Sequence, residues 1–243
     1  MAKAVTADEL SKQIKALQNQ LFNAKAHFEI YMGLGQSWNK RIKEIQNSPI
    51  FWQFTMKAHI DTAVFHVCRA YDTHEKALQL PRFLETVAES ADVFCEGEFR
   101  RRHKANPHVD WLAKYPRILS LKSLQDDREY CSKSNPLVAN LRLWRNNLVA
   151  HFNYEEAVVT TKPFHERHRL PFEDIKKLID DGLSILNRYS ELLDATTYSN
   201  QFASQQGSDY SYVLKELRFA RIGHEWNRRR IRKNIRRKLA DQK

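Results

Sequence analysis

The chain has 243 residues and 42% hydrophobic content, enough for one large packed domain and too apolar for global disorder. Six Gly and seven Pro disfavour a turn-dense β architecture, and three scattered cysteines (Cys68, Cys95, Cys131) support neither a disulfide framework nor a zinc ribbon. The net charge of +11 is uneven: residues 218–243 hold 11 basic groups against Glu225 and Asp241, a local +9, so the body is nearly neutral and the tail is a polycation.

Thr6-Ala-Asp-Glu9 reads as a capping box opening a long helix, with Leu10, Ile14, Leu17, Leu21, Ala24, Phe28 and Tyr31 as its apolar stripe and Gly33-Leu-Gly35 as its stop. A short helical piece follows around Trp38 to Ile45. Ser48-Pro49 starts a helix to about Asp72 that is apolar on more than one face, which predicts burial inside a bundle. Pro81 opens a helix to about Phe94, and residues 97–117, with the run Arg100-Arg-Arg-His-Lys104, read as a helix extension, a loop and a short helix. That basic run reads as a solvated face, or as the wall of a nucleic-acid groove if it abuts the site.

Helices resume from Leu119 to Cys131 and from Asn135-Pro136 to near His151, the latter with Leu137, Leu141, Trp144 and Leu148 as its core stripe. Thr160 to Arg169 reads as polar and irregular. Pro171 starts a long helix to about Leu193 with Ile175, Leu178, Ile179, Leu183, Leu186 and Leu193 on one face. The expected fold is therefore all-α: an antiparallel helical bundle over residues 1–195, a polar linker over 196–211 and a basic C-terminal helix over 212–243. No leader or membrane-length apolar run is read, so a soluble, cytoplasmic protein is expected, with no membrane partner.

The chemistry points to Arg145-Asn-Asn-Leu-Val-Ala-His151. A histidine can take or give a proton near neutral pH, and an arginine can hold a phosphate whose charge grows in the transition state. RNA carries its own nucleophile, the 2′-hydroxyl, so a base and a cation suffice without a metal or other cofactor. In one unbroken α-helix, six residues turn the two side chains about 120° apart. They meet if the helix ends between them, or if a second copy supplies the partner across a dimer axis. A structural reading stands beside this one: Trp144, Leu148 and His151 also continue a buried stripe.

Other histidines give weaker signals. His59 and His66 lack a matched ligand set and read as core or interface residues, and His165 with His168 is thin support for zinc. Arg69 and Asp72 read as an ion pair at i, i+3, or as a support of the site. In the tail, Arg228, Arg229, Arg230, Arg232, Lys233, Arg236 and Arg237 beside Trp226 suit phosphate tracking and base stacking, with an acidic protein or an anionic membrane as competing uses.

The string from Arg145 to His151 resembles the R-(polar)-x-x-x-x-H signature of the HEPN superfamily, and Phe51-Trp-Gln-Phe54, Cys68-Arg-Ala-Tyr-Asp72 and Leu80-Pro-Arg-Phe-Leu84 look like its abortive-infection U-type (AbiU-like) branch. The resemblance spans roughly residues 10–195. It implies a helical bundle that forms a homodimer with a composite cleft, and metal-independent endoribonuclease activity in antiphage defence or a toxin–antitoxin system, with a possible antitoxin protein as partner. It implies His151 as base or acid, Arg145 as phosphate clamp and Asn146 as the residue that orients them. Some family toxins carry a regulatory Tyr two residues after the His; Asn153 stands there, so that regulation is not carried over. A non-catalytic helical module that binds RNA or a protein is the alternative.

Overall fold

In the computed structural model, residues 5–74, 76–115, 117–149, 164–198 and 209–240 are described, and among them every regular element is helical. The α-helices are α1 (Ala7–Ser37), α2 (Ile42–Ile45), α3 (Pro49–Ala70), α4 (Leu80–Glu89), α5 (Glu96–Arg102), α6 (Val109–Leu112), α7 (Leu121–Tyr130), α8 (Pro136–Trp144), α9 (Phe164–Arg167), α10 (Phe172–Asp194) and α11 (Tyr210–Ala240). A π-helical turn, Arg145–Val149, continues α8. The chain divides into two compact units, Met1–Lys25 with Asp61–Gln201, and Ala26–Ile60 with Phe202–Lys243; α1 and α3 each contribute residues to both.

The first unit is built around α10. Its stripe Ile175, Leu178, Ile179, Leu183, Leu186 and Leu193 is buried, as the spacing requires, and so are Leu10, Ile14, Leu17 and Leu21 on α1. The Thr6 capping box forms as read: Glu9 donates its amide to the Thr6 hydroxyl (3.2 Å), and Thr6 donates its amide to the Glu9 carboxylate (2.8 Å). Asn135 likewise caps α8, accepting from the Leu137 amide at 3.0 Å.

The last turn of α10 has no basic residue of its own, and its carbonyls draw donors from elsewhere. Arg102 donates to the Leu193 carbonyl at 3.1 Å and pairs with Asp194 at 2.9 Å. Arg117, 4% exposed, donates to the Glu191 and Leu112 carbonyls and lies 4.3 Å from the Phe99 ring centroid. These cations meet the negative end of the helix dipole and satisfy carbonyls that the helix cannot. Three arginines of the basic run have acidic partners: the partly exposed Arg100 pairs with Glu96 and Asp110, exposed Arg101 with Glu98, and the largely buried Arg102 with Asp8 and Asp194.

Asp127 is a second anchor. Buried on α7, it accepts from Arg188 and from the Tyr189 hydroxyl (2.7 Å), both on α10. Residues 164–167, expected to be irregular, form a helical turn because Phe164 is buried edge-on against Trp144 (ring centroids 5.7 Å). The Trp144 indole N–H donates to the His168 carbonyl at 2.8 Å, which holds that segment against α8.

In the second unit, Leu34, Ile45, Trp52 and Leu214 form a small core with Ile30, Trp38, Met56 and Tyr210 around it. Here α1 runs through the expected stop at Gly33-Leu-Gly35 and ends at Ser37. Gly33 is needed for a close approach instead: a β-carbon there would fall 2.3 Å from the Tyr210 hydroxyl. The expected burial of α3 is also overturned at its start, where Ile50, Phe51 and Phe54 are 60–70% exposed. Arg221 on α11 donates to the buried Glu44 on α2 at 3.1 Å, and this charge lowers the Glu44 pKa against the opposing effect of burial. His27 and His59 are joined Nδ1 to Nδ1 at 2.8 Å, and burial holds both below the usual histidine range.

Gly182 sits at the tightest point of the first unit. A β-carbon would lie 2.8 Å from Leu21 Cδ1 and 3.0 Å from the Tyr71 hydroxyl, which is itself fixed by donating to the Leu178 carbonyl at 2.7 Å. Gly182→Ala should destabilise the protein by roughly 1–2 kcal/mol, overpacking outweighing the gain in helix propensity. Gly97→Ala, with no atom within 4 Å of the new methyl, should be neutral or stabilising in the same denaturant titration.

Candidate functional site

Arg145 begins the π-helical turn directly after α8. The 120° between Arg145 and His151 holds for an unbroken α-helix, and the α-helical register instead ends at Trp144. A π turn closes i to i+5 and is wider than an α turn, and such turns occur often at functional sites. His151 lies outside the described residues. Of the expected α8 stripe, Leu141 is buried and Leu137 and Trp144 are half-buried, and Val138 is buried as well.

The Arg145 guanidinium is held by two neighbours. Its Nη2 donates to Asp72 Oδ2 at 3.0 Å, and its Nη1 donates to Asn146 Oδ1 at 2.9 Å. Asp72 in turn accepts from the Thr73 amide at 2.6 Å through its other oxygen. The side chains of Arg145 and Asp72 are 32% and 16% exposed, so the pair is shielded from bulk water while its arginine still reaches the surface. Asp72 thus turns to Arg145, whereas Arg69 lies over the Phe65 ring at 5.4 Å. The i, i+3 spacing of Arg69 and Asp72 gave no sign of this partner 73 residues away.

These residues line a cleft of about 300 Å³ with Thr73, Lys133, Ala139, Arg142 and Leu143. Three cations face one carboxylate there, which makes the cleft electropositive and suited to an anion. Arg142 and Lys133 were missed from sequence; the available signal was that Arg142, three residues before Arg145, shares its helix face. On α3, Cys68 is 3% exposed, with its Sγ 3.9 Å from the Leu141 carbonyl. Burial pushes its pKa up to about 12; Arg145 opposes that shift and Asp72 adds to it.

Of the tail residues, Arg228, Arg229, Arg230, Arg232 and Lys233 are exposed along α11, and Arg230 lies 5.3 Å from the exposed Trp226 ring. Arg236 and Arg237 lie within the same helix. Among the described residues, no group of three or more His, Cys, Asp or Glu side chains could hold a metal ion, and no helix is long and apolar enough to cross a membrane.

An all-α chain with a framed arginine at the head of an Arg-to-His string is a protein of HEPN type. The comparison with protein families makes this specific: the chain matches the HEPN family described as AbiU2 over residues 7–213, and it belongs to that family. No curated protein and no solved structure matches it. The matched region stops at Val213, so most of α11 lies beyond it.

The three cysteines are free, Cys68 and Cys131 buried and Cys95 exposed. Burial raises the pKa of both inner thiols, and a thiol reagent needs the thiolate. Mass spectrometry after brief maleimide treatment at neutral pH should show one label per chain, on Cys95, rising to three after unfolding. Rapid labelling of Cys68 in the native protein would contradict its burial.

Proposed function

We propose that the chain is a metal-independent endoribonuclease of the HEPN type. The observation that carries the reading is Arg145, held by Asp72 and Asn146 at the edge of an electropositive cleft. Family membership supports an RNA-related role. In this reaction the 2′-hydroxyl attacks the adjacent phosphorus and the bond to the 5′-oxygen breaks, leaving a 2′,3′-cyclic phosphate and a 5′-hydroxyl. His151 takes the 2′ proton or protonates the leaving oxygen, and Arg145 neutralises the charge that grows on the phosphate oxygens. Asn146 orients Arg145.

The working unit is a homodimer whose two motifs form a composite cleft, each copy supplying one Arg-to-His string. The basic residues from Arg228 to Arg237 bring RNA to the protein, with affinity that falls steeply as salt rises. In the cell the activity belongs to antiphage defence or to a toxin–antitoxin pair, with a protein antitoxin as the restraining partner, in the cytoplasm. A second reading is favoured by the exposed basic face of α11: a non-catalytic module that binds RNA or a protein through that helix.

His151→Ala and Arg145→Ala should each lower cleavage of a tRNA or mRNA pool by a factor of about 100 or more, as expected for losing a general base or a charge-stabilising donor. EDTA should leave the wild-type rate unchanged. Undiminished cleavage by either variant sinks the nuclease reading. Salt-sensitive binding without any cleavage, lost on removing residues 218–243, would favour the second.

A further inference from the structure

Arg142 is the unexplained charge of the cleft. It projects from α8 one turn before Arg145, and its Nε and Nη1 are buried without a hydrogen-bond partner among the described residues. Burial holds its pKa below the usual arginine range, Asp72 partly offsets this, and the like charge of Arg145 adds to it. A buried donor without an acceptor is costly, more so when charged, and native proteins rarely keep one without a reason. Arg145 is in a different position, since two of its nitrogens already have acceptors.

Arg142 and Lys133 stand on the same cleft wall region as Arg145 and Asp72, giving three positive groups to one negative. Among the described residues, Arg145 has hydrogen-bond acceptors in Asp72 and Asn146, and Nε and Nη1 of Arg142 have none. A phosphodiester in the cleft would bring a negative charge to the Arg142 guanidinium that lines it, while Arg145 keeps the geometry set by Asp72 and Asn146.

We propose that Arg142, which lines this cleft together with Lys133, is a substrate-binding residue that contacts an RNA phosphate there. The proposal rests on the nuclease reading for the identity of the ligand, and it adds a residue outside the Arg145–His151 string. Two phosphate contacts three residues apart on one helix face would fix the path of the strand past Arg145, which makes Arg142 a determinant of binding register.

The test compares wild type, Arg142→Gln and Arg142→Lys in two assays, cleavage of a short single-stranded RNA and binding of its all-2′-deoxy analogue, which lacks the nucleophile. Arg142→Gln should raise KM and weaken binding of the deoxy analogue by about tenfold. It should also lower the slope of log affinity against log salt by about 0.7, the value for one phosphate contact on a single strand. Arg142→Lys should retain the slope and recover part of the affinity. Thermal stability of Arg142→Gln should stay level or rise, because an unsatisfied buried charge is removed. Unchanged binding and slope in Arg142→Gln would overturn the proposal even if His151-dependent cleavage stands. Absent cleavage in wild type would remove the nuclease reading, and the deoxy-analogue arm would still decide Arg142. A large fall in melting temperature with an unchanged salt slope would mark Arg142 as structural and overturn the proposal.

Discussion

The ion pair between Asp72 and Arg145 is the constraint on which the site depends. It ties the segment after α3 to the turn after α8, two places 73 residues apart in sequence. Exposed pairs contribute roughly 0–1 kcal/mol, and breaking a fully buried one costs about 3–5 kcal/mol. This pair, partly shielded on both sides, belongs between those limits. Its larger effect is geometric: an arginine held at Nη1 and Nη2 has lost most of its rotamer freedom before any ligand arrives. Asp72 is in this sense a positioning residue, acting through Arg145.

The frame that presents this pair is α10 with the elements packed on it. Asp127 receives Arg188 and Tyr189, and Tyr71, next to Asp72, donates its hydroxyl to the Leu178 carbonyl. The end of α3 is therefore anchored to α10 immediately before Asp72. Arg102 and Arg117 complete the far end of α10, while Arg100 and Arg101 pair with acidic side chains nearby. Charge density in sequence is a poor guide to nucleic-acid contact when acidic partners are folded onto it.

Local signals were legible in the sequence and long-range ones were not. Capping residues Thr6 and Asn135 and the α10 stripe depend on neighbours within a few positions, and each was readable from spacing. Gly33 misled because a glycine marks either a helix end or a close approach, and only Tyr210, 177 residues later, tells which. The start of α3 misled because an apolar sequence does not specify what covers it, and Ile50, Phe51 and Phe54 are exposed. At the site, Arg145 and Asn146 were legible from a family string, whereas the Asp72 partner, the π turn and the unpartnered Arg142 arise from packing between distant segments.

The central claim is that Asp72 and Arg145 act as one unit in RNA cleavage. A double-mutant cycle in single-turnover cleavage, with Asp72→Asn, Arg145→Lys and the pair together, measures this directly. The account predicts strong non-additivity: each single variant slows cleavage, and the double variant is little slower than Arg145→Lys alone. Rates that multiply independently, or an Asp72→Asn enzyme as fast as wild type, would contradict it.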